Sequence, residues 1–116
     1  MTAGQRERLE SLRGDYARDL PARIRAIGEA AASLEPRKRG QLESLHHLVH
    51  RLTGSAAIYG FTGVSRAASA LEALVYSSLK ETAEPIRGPS LAGLVAALES
   101  ELAAAMASGT HGKGDP

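Results

Sequence analysis

Residues 41–59 read QLESLHHLVHRLTGSAAIY, and their apolar side chains recur every three or four positions. The apolar positions on one face are Leu42, Leu45, Val49, Leu52, Ala56 and Tyr59. This spacing is typical of an amphipathic α-helix that turns one face toward a protein core. Gly60 follows at the position where helices commonly end in a left-handed conformation. The segment therefore predicts a long helix from Gln41 to Tyr59.

The same helical spacing occupies the first third of the chain. Its apolar stripe consists of Leu9, Leu12, Tyr16, Leu20, Ile24, Ile27, Ala31 and Leu34. Pro21 interrupts this stripe, and a proline inside a helix removes a backbone donor and clashes with the preceding turn. We therefore expect a short first helix and then a kink or restart near Asp19–Pro21, with Asp19 as a cap.

Two more helices are expected after Gly60, and the stretch between them contains prolines at 85 and 89; another polar stretch, with a proline at 36, precedes the helix at 41–59. One is expected at residues 63–81 with Thr62 as its cap, and its stripe is Val64, Ala68, Leu71, Val75 and Leu79. The other is expected from the cap Ser90 to Ala107, with Leu91, Leu94, Val95, Leu98, Leu102 and Met106 inward. No segment alternates as a strand does.

These helices and their short connections predict an all-α protein. The expected architecture is an up-down antiparallel four-helix bundle with a short extra N-terminal helix, formed by residues 1–107. Residues 108–116 are small, polar and rich in glycine. We expect them to be a disordered tail.

Composition excludes several classes of function. The chain has no cysteine, and its 14 Lys and Arg against 13 Asp and Glu leave a net charge of +1. This balance favours neither nucleic acid nor an anionic membrane. Neither an apolar run of membrane-spanning length nor a signal-like N-terminus is evident. We expect a cytoplasmic monomer. Because it lacks a glycine-rich phosphate loop, we do not expect a kinase with its own nucleotide site.

His50 is the candidate for chemistry. On a helix it lies about 100° from Val49 and about 200° from Leu52, both of which belong to the apolar face. The histidine is therefore expected to face solvent. Its helical neighbours are His46, His47, Thr53, Gly54 and Ala57. A neutral imidazole nitrogen is a competent nucleophile near neutral pH.

The segment HRLTGSAAIYG, residues 50–60, resembles the histidine-phosphotransfer (HPt) family pattern. In that pattern His is followed by x-Leu-Lys-Gly-Ser-Ala, with a second glycine ten residues after the histidine. The matching residues are His50, Leu52, Gly54, Ser55, Ala56 and Gly60. The family's Leu-Glu pair on the next helix is matched by Leu71 and Glu72. One position departs, because Thr53 stands where the family usually has lysine.

The resemblance implies that His50 accepts a phosphoryl group from an Asp-phosphorylated receiver domain of a hybrid histidine kinase. It implies that a response-regulator receiver then takes the group. Such a protein is a phosphocarrier rather than a product-releasing enzyme. It would have no cofactor of its own, and Mg²⁺ is expected on the partner receiver.

Neighbouring residues are expected to support the acceptor. Gly54, one turn after His50, would clear space beside the imidazole, and Arg51 and Arg66 would offset phosphate charge or serve only as surface charges. His46 and His47 are expected to tune the acceptor, and Ser55 to hydrogen-bond the helix backbone.

His46 and His50 also have the i, i+4 spacing of a metal-binding pair. Glu43 is the nearest local carboxylate, and two protein ligands make a weak site. No metal site is therefore expected.

Two other functions stay open. The chain could be an HPt-like adaptor that holds a receiver without transfer, and Thr53 in place of lysine favours this alternative. It could also be a purely structural bundle with an incidental motif.

Overall fold

The computed structural model describes residues 1–35, 38–80 and 88–109, although the side chains of 88, 89, 108 and 109 are outside this description. Within these ranges the chain forms four α-helices and no strand. They are α1 (Ala3–Ala32), α2 (Arg39–Ile58), α3 (Thr62–Lys80) and α4 (Gly88–Gly109). The all-α class is confirmed.

Each helix packs against two others, so that the four helices form a closed ring in cross-section. α1 and α3 both contact α2 and α4. The Arg13 Nε atom donates to the Tyr59 carbonyl at 2.7 Å, and the Tyr16 hydroxyl bonds that of Ser55 at 2.6 Å. Because position 13 meets 59 and position 16 meets 55, α1 and α2 run in opposite directions.

The core lies where the apolar stripes meet, as their spacing predicted. α2 contributes Leu45, Val49, Leu52 and Ala56, each at most 2% exposed. The fully or almost fully buried side chains of the other helices are Tyr16, Leu20, Ile24, Ile27, Val64, Ala68, Leu71, Val75, Leu91 and Leu98. Each buried Leu, Ile or Val side chain stabilises the fold by about 1.5–3 kcal/mol. This packing fixes the rotation of α2 and α3 and therefore which of their residues face solvent.

The short extra N-terminal helix is a wrong prediction. α1 continues through Pro21, and the chain does not restart there. Leu20 and Ile24, on either side of the proline, are fully buried, and their burial offsets the roughly 3 kcal/mol that an interior proline costs. Asp19 is not a cap, because it lies inside α1, where its carboxylate pairs with Arg23 at 3.2 Å.

The cap of α1 is instead Thr2, whose hydroxyl accepts from the Gln5 amide while the Gln5 side chain accepts from the Thr2 amide. This reciprocal pair starts α1 at Ala3, whereas the hydrogen bond to the end of α2 is made further along the helix, by Arg13. Leu9 and Leu12 consequently lie outside the core at 45% and 47% exposure, contrary to the predicted stripe.

α2 ends as predicted, whereas α3 and α4 begin at other residues than predicted. Gly60 has φ +83°, which confirms the expected left-handed end of α2. The Phe61 carbonyl accepts from the Ser65 amide, so Thr62 is the first residue of α3 rather than its cap. α4 begins at Gly88 and so includes Ser90. The predicted tail begins inside α4, which extends to Gly109, and the remainder from 110 lies outside the described residues.

The expectation that no apolar run reaches membrane-spanning length needs correction at α4. The window Ser90–Ala107 has a mean hydropathy of 1.4 and is long and apolar enough to cross a membrane by length and composition. One such helix is weak evidence for a membrane span, and 11% of this window is buried inside the protein. Here α4 packs against α1 and α3, with Leu91 and Leu98 buried between them.

Candidate functional site

His50 lies on the solvent-facing side of α2. Its side chain is 67% exposed, whereas Val49 and Leu52 are almost completely buried. Those two apolar anchors hold α2 so that position 50 points away from the core. The exposure expected from the helical register is therefore confirmed.

Glu72 of α3 is the direct partner of His50. The Nδ1 atom of His50 lies 2.5 Å from Oε2 of Glu72. Because a carboxylate can only accept a hydrogen bond, Nδ1 carries the proton and donates it. In the neutral ring this leaves the lone pair on Nε2. The sequence pattern included Glu72 in the motif but did not predict its contact with His50. The available signal was its position directly after Leu71, which is buried.

His46 is the second imidazole at the same carboxylate. Its Nε2 atom lies 3.7 Å from Oε2 of Glu72, within ion-pair range but beyond hydrogen-bonding distance. The His46 ring stacks on that of His50, with centroids 5.9 Å apart and an angle of 14° between the planes. The Tyr76 ring lies at 5.9 Å on the α3 side. Unlike His50, His46 is only 23% exposed.

Thr53 is turned toward the helix backbone. Its hydroxyl donates to the Val49 carbonyl at 3.0 Å, and its own carbonyl accepts from the Ser65 hydroxyl at 2.8 Å. Since 53 meets 65 while 50 meets 72, α2 and α3 also run in opposite directions. Threonine carries no charge, and the Thr53 hydroxyl already donates to the backbone. Thr53 therefore does not offset the charge of a group on His50.

Gly54 is exposed one turn after His50. A Cβ atom at this position would meet nothing within 4 Å. Neighbouring helices therefore do not require the glycine, although glycine costs about 1 kcal/mol relative to alanine inside a helix.

Ser55 faces α1, away from His50. Its hydroxyl bonds the Tyr16 hydroxyl at 2.6 Å and also contacts the Leu52 carbonyl at 3.4 Å, as expected for a bond to the helix backbone. Burial raises the pKa of Tyr16 above its ordinary value, although the bond from Ser55 acts in the opposite direction. The hydrogen bond between Tyr16 and Ser55 connects α1 to α2.

The remaining predicted residues are exposed. His47 faces solvent with its ring edge-on to His46 at 6.3 Å. Arg51 and Arg66 make no ion pair with any residue in the described ranges. Arg66 follows Ser65, which places it at the level of Thr53 on the neighbouring helix.

Two large apolar side chains are also exposed on α2 and α3. Ile58, two turns after His50, is 77% exposed, and Tyr76, beside His46, is 53% exposed. Glu43, the carboxylate considered for a metal site, pairs with Arg39 at 3.6 Å. Among the residues with a described structure, no group of three or more His, Asp or Glu side chains is arranged to hold a metal ion.

The chain matches a known protein family. A family model described as Hpt domain matches residues 11–108, which includes all the site residues above. No curated protein and no solved structure matches the chain significantly.

Proposed function

Since the chain belongs to the Hpt domain family, we propose that it is a phosphorelay intermediate that carries a phosphoryl group on Nε2 of His50. The family implies histidine phosphotransfer with receiver domains as partners. The observation that supports His50 as the acceptor is its contact with Glu72. This contact holds the proton on Nδ1 and leaves a solvent-facing nitrogen with a free lone pair.

The transfer step follows from this tautomer. The Nε2 lone pair attacks the phosphorus of an aspartyl phosphate on a receiver domain, a P–N bond forms, and the P–O bond to the aspartate breaks. The aspartate leaves as a carboxylate, and the proton stays on Nδ1, bonded to Glu72. The return step reverses these changes toward a second receiver. The protein is accordingly a carrier rather than a product-releasing enzyme.

The surroundings of His50 suit a brief encounter with a receiver. Gly54 offers no side chain beside the imidazole, while Ile58 and Tyr76 provide exposed apolar contact. Small interfaces with polar rims are typical of such transient complexes. Mg²⁺ and most of the charge stabilisation that phosphoryl transfer needs are supplied by the receiver.

The remaining elements of the proposal follow the family. The donor is the receiver of a hybrid histidine kinase, and the acceptor is the receiver of a response regulator. The protein acts as a cytoplasmic monomer, built as an up-down antiparallel bundle. Arg51 and Arg66 help to counter the phosphoryl charge, since Thr53 does not.

The second candidate is an adaptor that binds a receiver without transfer. Thr53 favours it, because the usual lysine is absent and the threonine hydroxyl is occupied by the Val49 carbonyl. Both candidates use the same docking face.

Incubation with a phosphorylated receiver tests the proposal. We expect acid-labile, base-stable phosphate on the wild type and on His47→Gln, and none on His50→Gln, which should fold normally because the side chain is exposed. Receiver binding without transfer would select the adaptor. If the protein shows no receiver binding and no transfer, the structural-bundle hypothesis remains. If transfer is lost in His46→Gln but not in His50→Gln, the assignment of His50 as the acceptor is wrong.

A further inference from the structure

Glu72 has more than one imidazole partner. Its Oε2 atom lies 2.5 Å from His50 Nδ1 and 3.7 Å from His46 Nε2. The two rings approach this single oxygen through different nitrogens. Glu72 and His46 are 22% and 23% exposed, so both are held between α2 and α3, whereas His50 is largely exposed.

We propose that His46 is a positioning residue that acts on His50 through Glu72. A proton on its Nε2 directs the positive end of the N–H dipole at Oε2, 3.7 Å away, and favours the carboxylate position that accepts the Nδ1–H of His50. Stacking on the His50 ring limits the rotation of that ring away from Glu72. The inference rests on the proposed role of His50, but its consequence, the tautomer of the unphosphorylated ring, exists without any transfer.

Other neighbours do not have this arrangement. The Thr53 hydroxyl is bonded to the backbone, and the ring of His47 contacts His46 edge-on rather than Glu72. The Tyr76 ring of α3 also contacts the His46 ring, with centroids 5.9 Å apart and an angle of 35° between the planes. In the described parts of the chain, His46 is therefore the only cationic or N–H side chain besides His50 that contacts the Glu72 carboxylate.

Three variants separate positioning from packing. His46→Leu keeps an apolar side chain against Tyr76 but removes the N–H. His46→Gln restores an N–H donor, and His47→Leu is the matched control because it removes the adjacent, exposed imidazole. The ¹⁵N shifts of the His50 ring report its tautomer in the unphosphorylated protein, and thermal unfolding reports the fold.

We expect His46→Leu to lower the fraction of His50 protonated on Nδ1 and to slow phosphorylation by about two- to fivefold, the range for a partly exposed charged pair. His46→Gln should recover most of this loss, and His47→Leu should leave the tautomer of His50 as in the wild type, because the His47 ring contacts His46 edge-on rather than Glu72. In a Glu72→Ala background, which removes the acceptor, His46→Leu should have little further effect. An unchanged His50 tautomer, or an equal loss of rate without Glu72, would overturn the proposal. If His50 is never phosphorylated, the proposed function fails while the tautomer result still decides this inference.

Discussion

His50 and Glu72 form a hydrogen bond of 2.5 Å between Nδ1 and Oε2, and its two partners differ sharply in exposure. The carboxylate is 22% exposed and held by α3, while the imidazole is 67% exposed. One edge of the ring is therefore fixed by the bundle, and the other edge is open to a partner. A phosphocarrier needs this combination, because transfer depends mainly on placing the nucleophile in line with the phosphorus.

The first prediction concerns Glu72. Glu72→Ala should fold normally and slow phosphorylation of His50 by up to about tenfold, because a hydrogen bond to a charged group contributes about 1.5–3 kcal/mol, less with an exposed partner. Glu72→Gln should lose less, since its carbonyl still accepts the Nδ1–H. Glu43→Gln is the control, because among the described residues Glu43 pairs with Arg39 and not with His50. Wild-type rates in Glu72→Ala would show that the tautomer is set by another group.

Sequence patterns predicted the bundle well because helical spacing encodes burial directly. Val49, Leu52 and Leu71 all lie in the core as their register required, and Gly60 ends α2 as expected. The contact between His50 and Glu72 could not be derived in the same way. It joins positions 22 residues apart, and it depends on the axial register of α3 relative to α2. Local periodicity does not specify that register.

At Pro21, local sequence propensity gave the wrong prediction because packing overrides it. Its local propensity argued for a break, but the buried residues on both sides carry α1 through. Pro21→Ala restores an N–H to the α1 backbone and removes the ring clash with the preceding turn. We expect it to raise the free energy of unfolding by up to about 3 kcal/mol. Gly14→Ala, in the same helix, restores no donor and should gain at most about 1 kcal/mol.

Denaturant titration of the two variants would distinguish these contributions. An equal gain from both would mean that the proline ring is well accommodated in α1. A loss of stability in Pro21→Ala would mean that the half-buried ring packs better than alanine and that this contact outweighs the restored hydrogen bond.

Tyr16 gives a prediction about alkaline pH. Burial raises its pKa above the ordinary value of 10.0, so the folded state binds the phenolic proton more tightly than the unfolded state. This contribution to stability is fully present below the pKa that Tyr16 has in the unfolded state. It is lost as pH rises through the pKa of Tyr16 in the folded state. The free energy of unfolding should therefore fall above about pH 10, and Tyr16→Phe should reduce this slope.

Ser55→Ala is the matched comparison, because it removes the hydrogen-bond partner and keeps the phenol. It should cost about 1 kcal/mol at neutral pH and retain the alkaline loss of stability. Chemical unfolding across the alkaline range measures both quantities. The same slope in Tyr16→Phe as in the wild type would assign the alkaline transition to other groups.

Gly54 is where the needs of folding and of phosphotransfer separate. A Cβ atom there meets nothing within 4 Å, so Gly54→Ala should raise the free energy of unfolding by up to about 1 kcal/mol, and Gly54→Gln should also fold. Both should slow transfer, Gln more than Ala, because each places atoms where a receiver must approach His50. Gly93 of α4 is the control, since a Cβ atom there also meets nothing within 4 Å.

Stability and phosphorylation rate should be measured on the same set of proteins. Gly93→Gln should resemble Gly54→Gln in stability but leave transfer at the wild-type rate, because no contact joins α4 to α2 in the described part of the chain. Unfolding of Gly54→Gln alone would make Gly54 a packing residue and reverse the assignment of this face. If Gly54→Gln instead preserves both stability and rate, the receiver does not approach over Gly54. The open space beside the imidazole would then have no part in transfer, and docking would have to occur from the side of His46 and Tyr76.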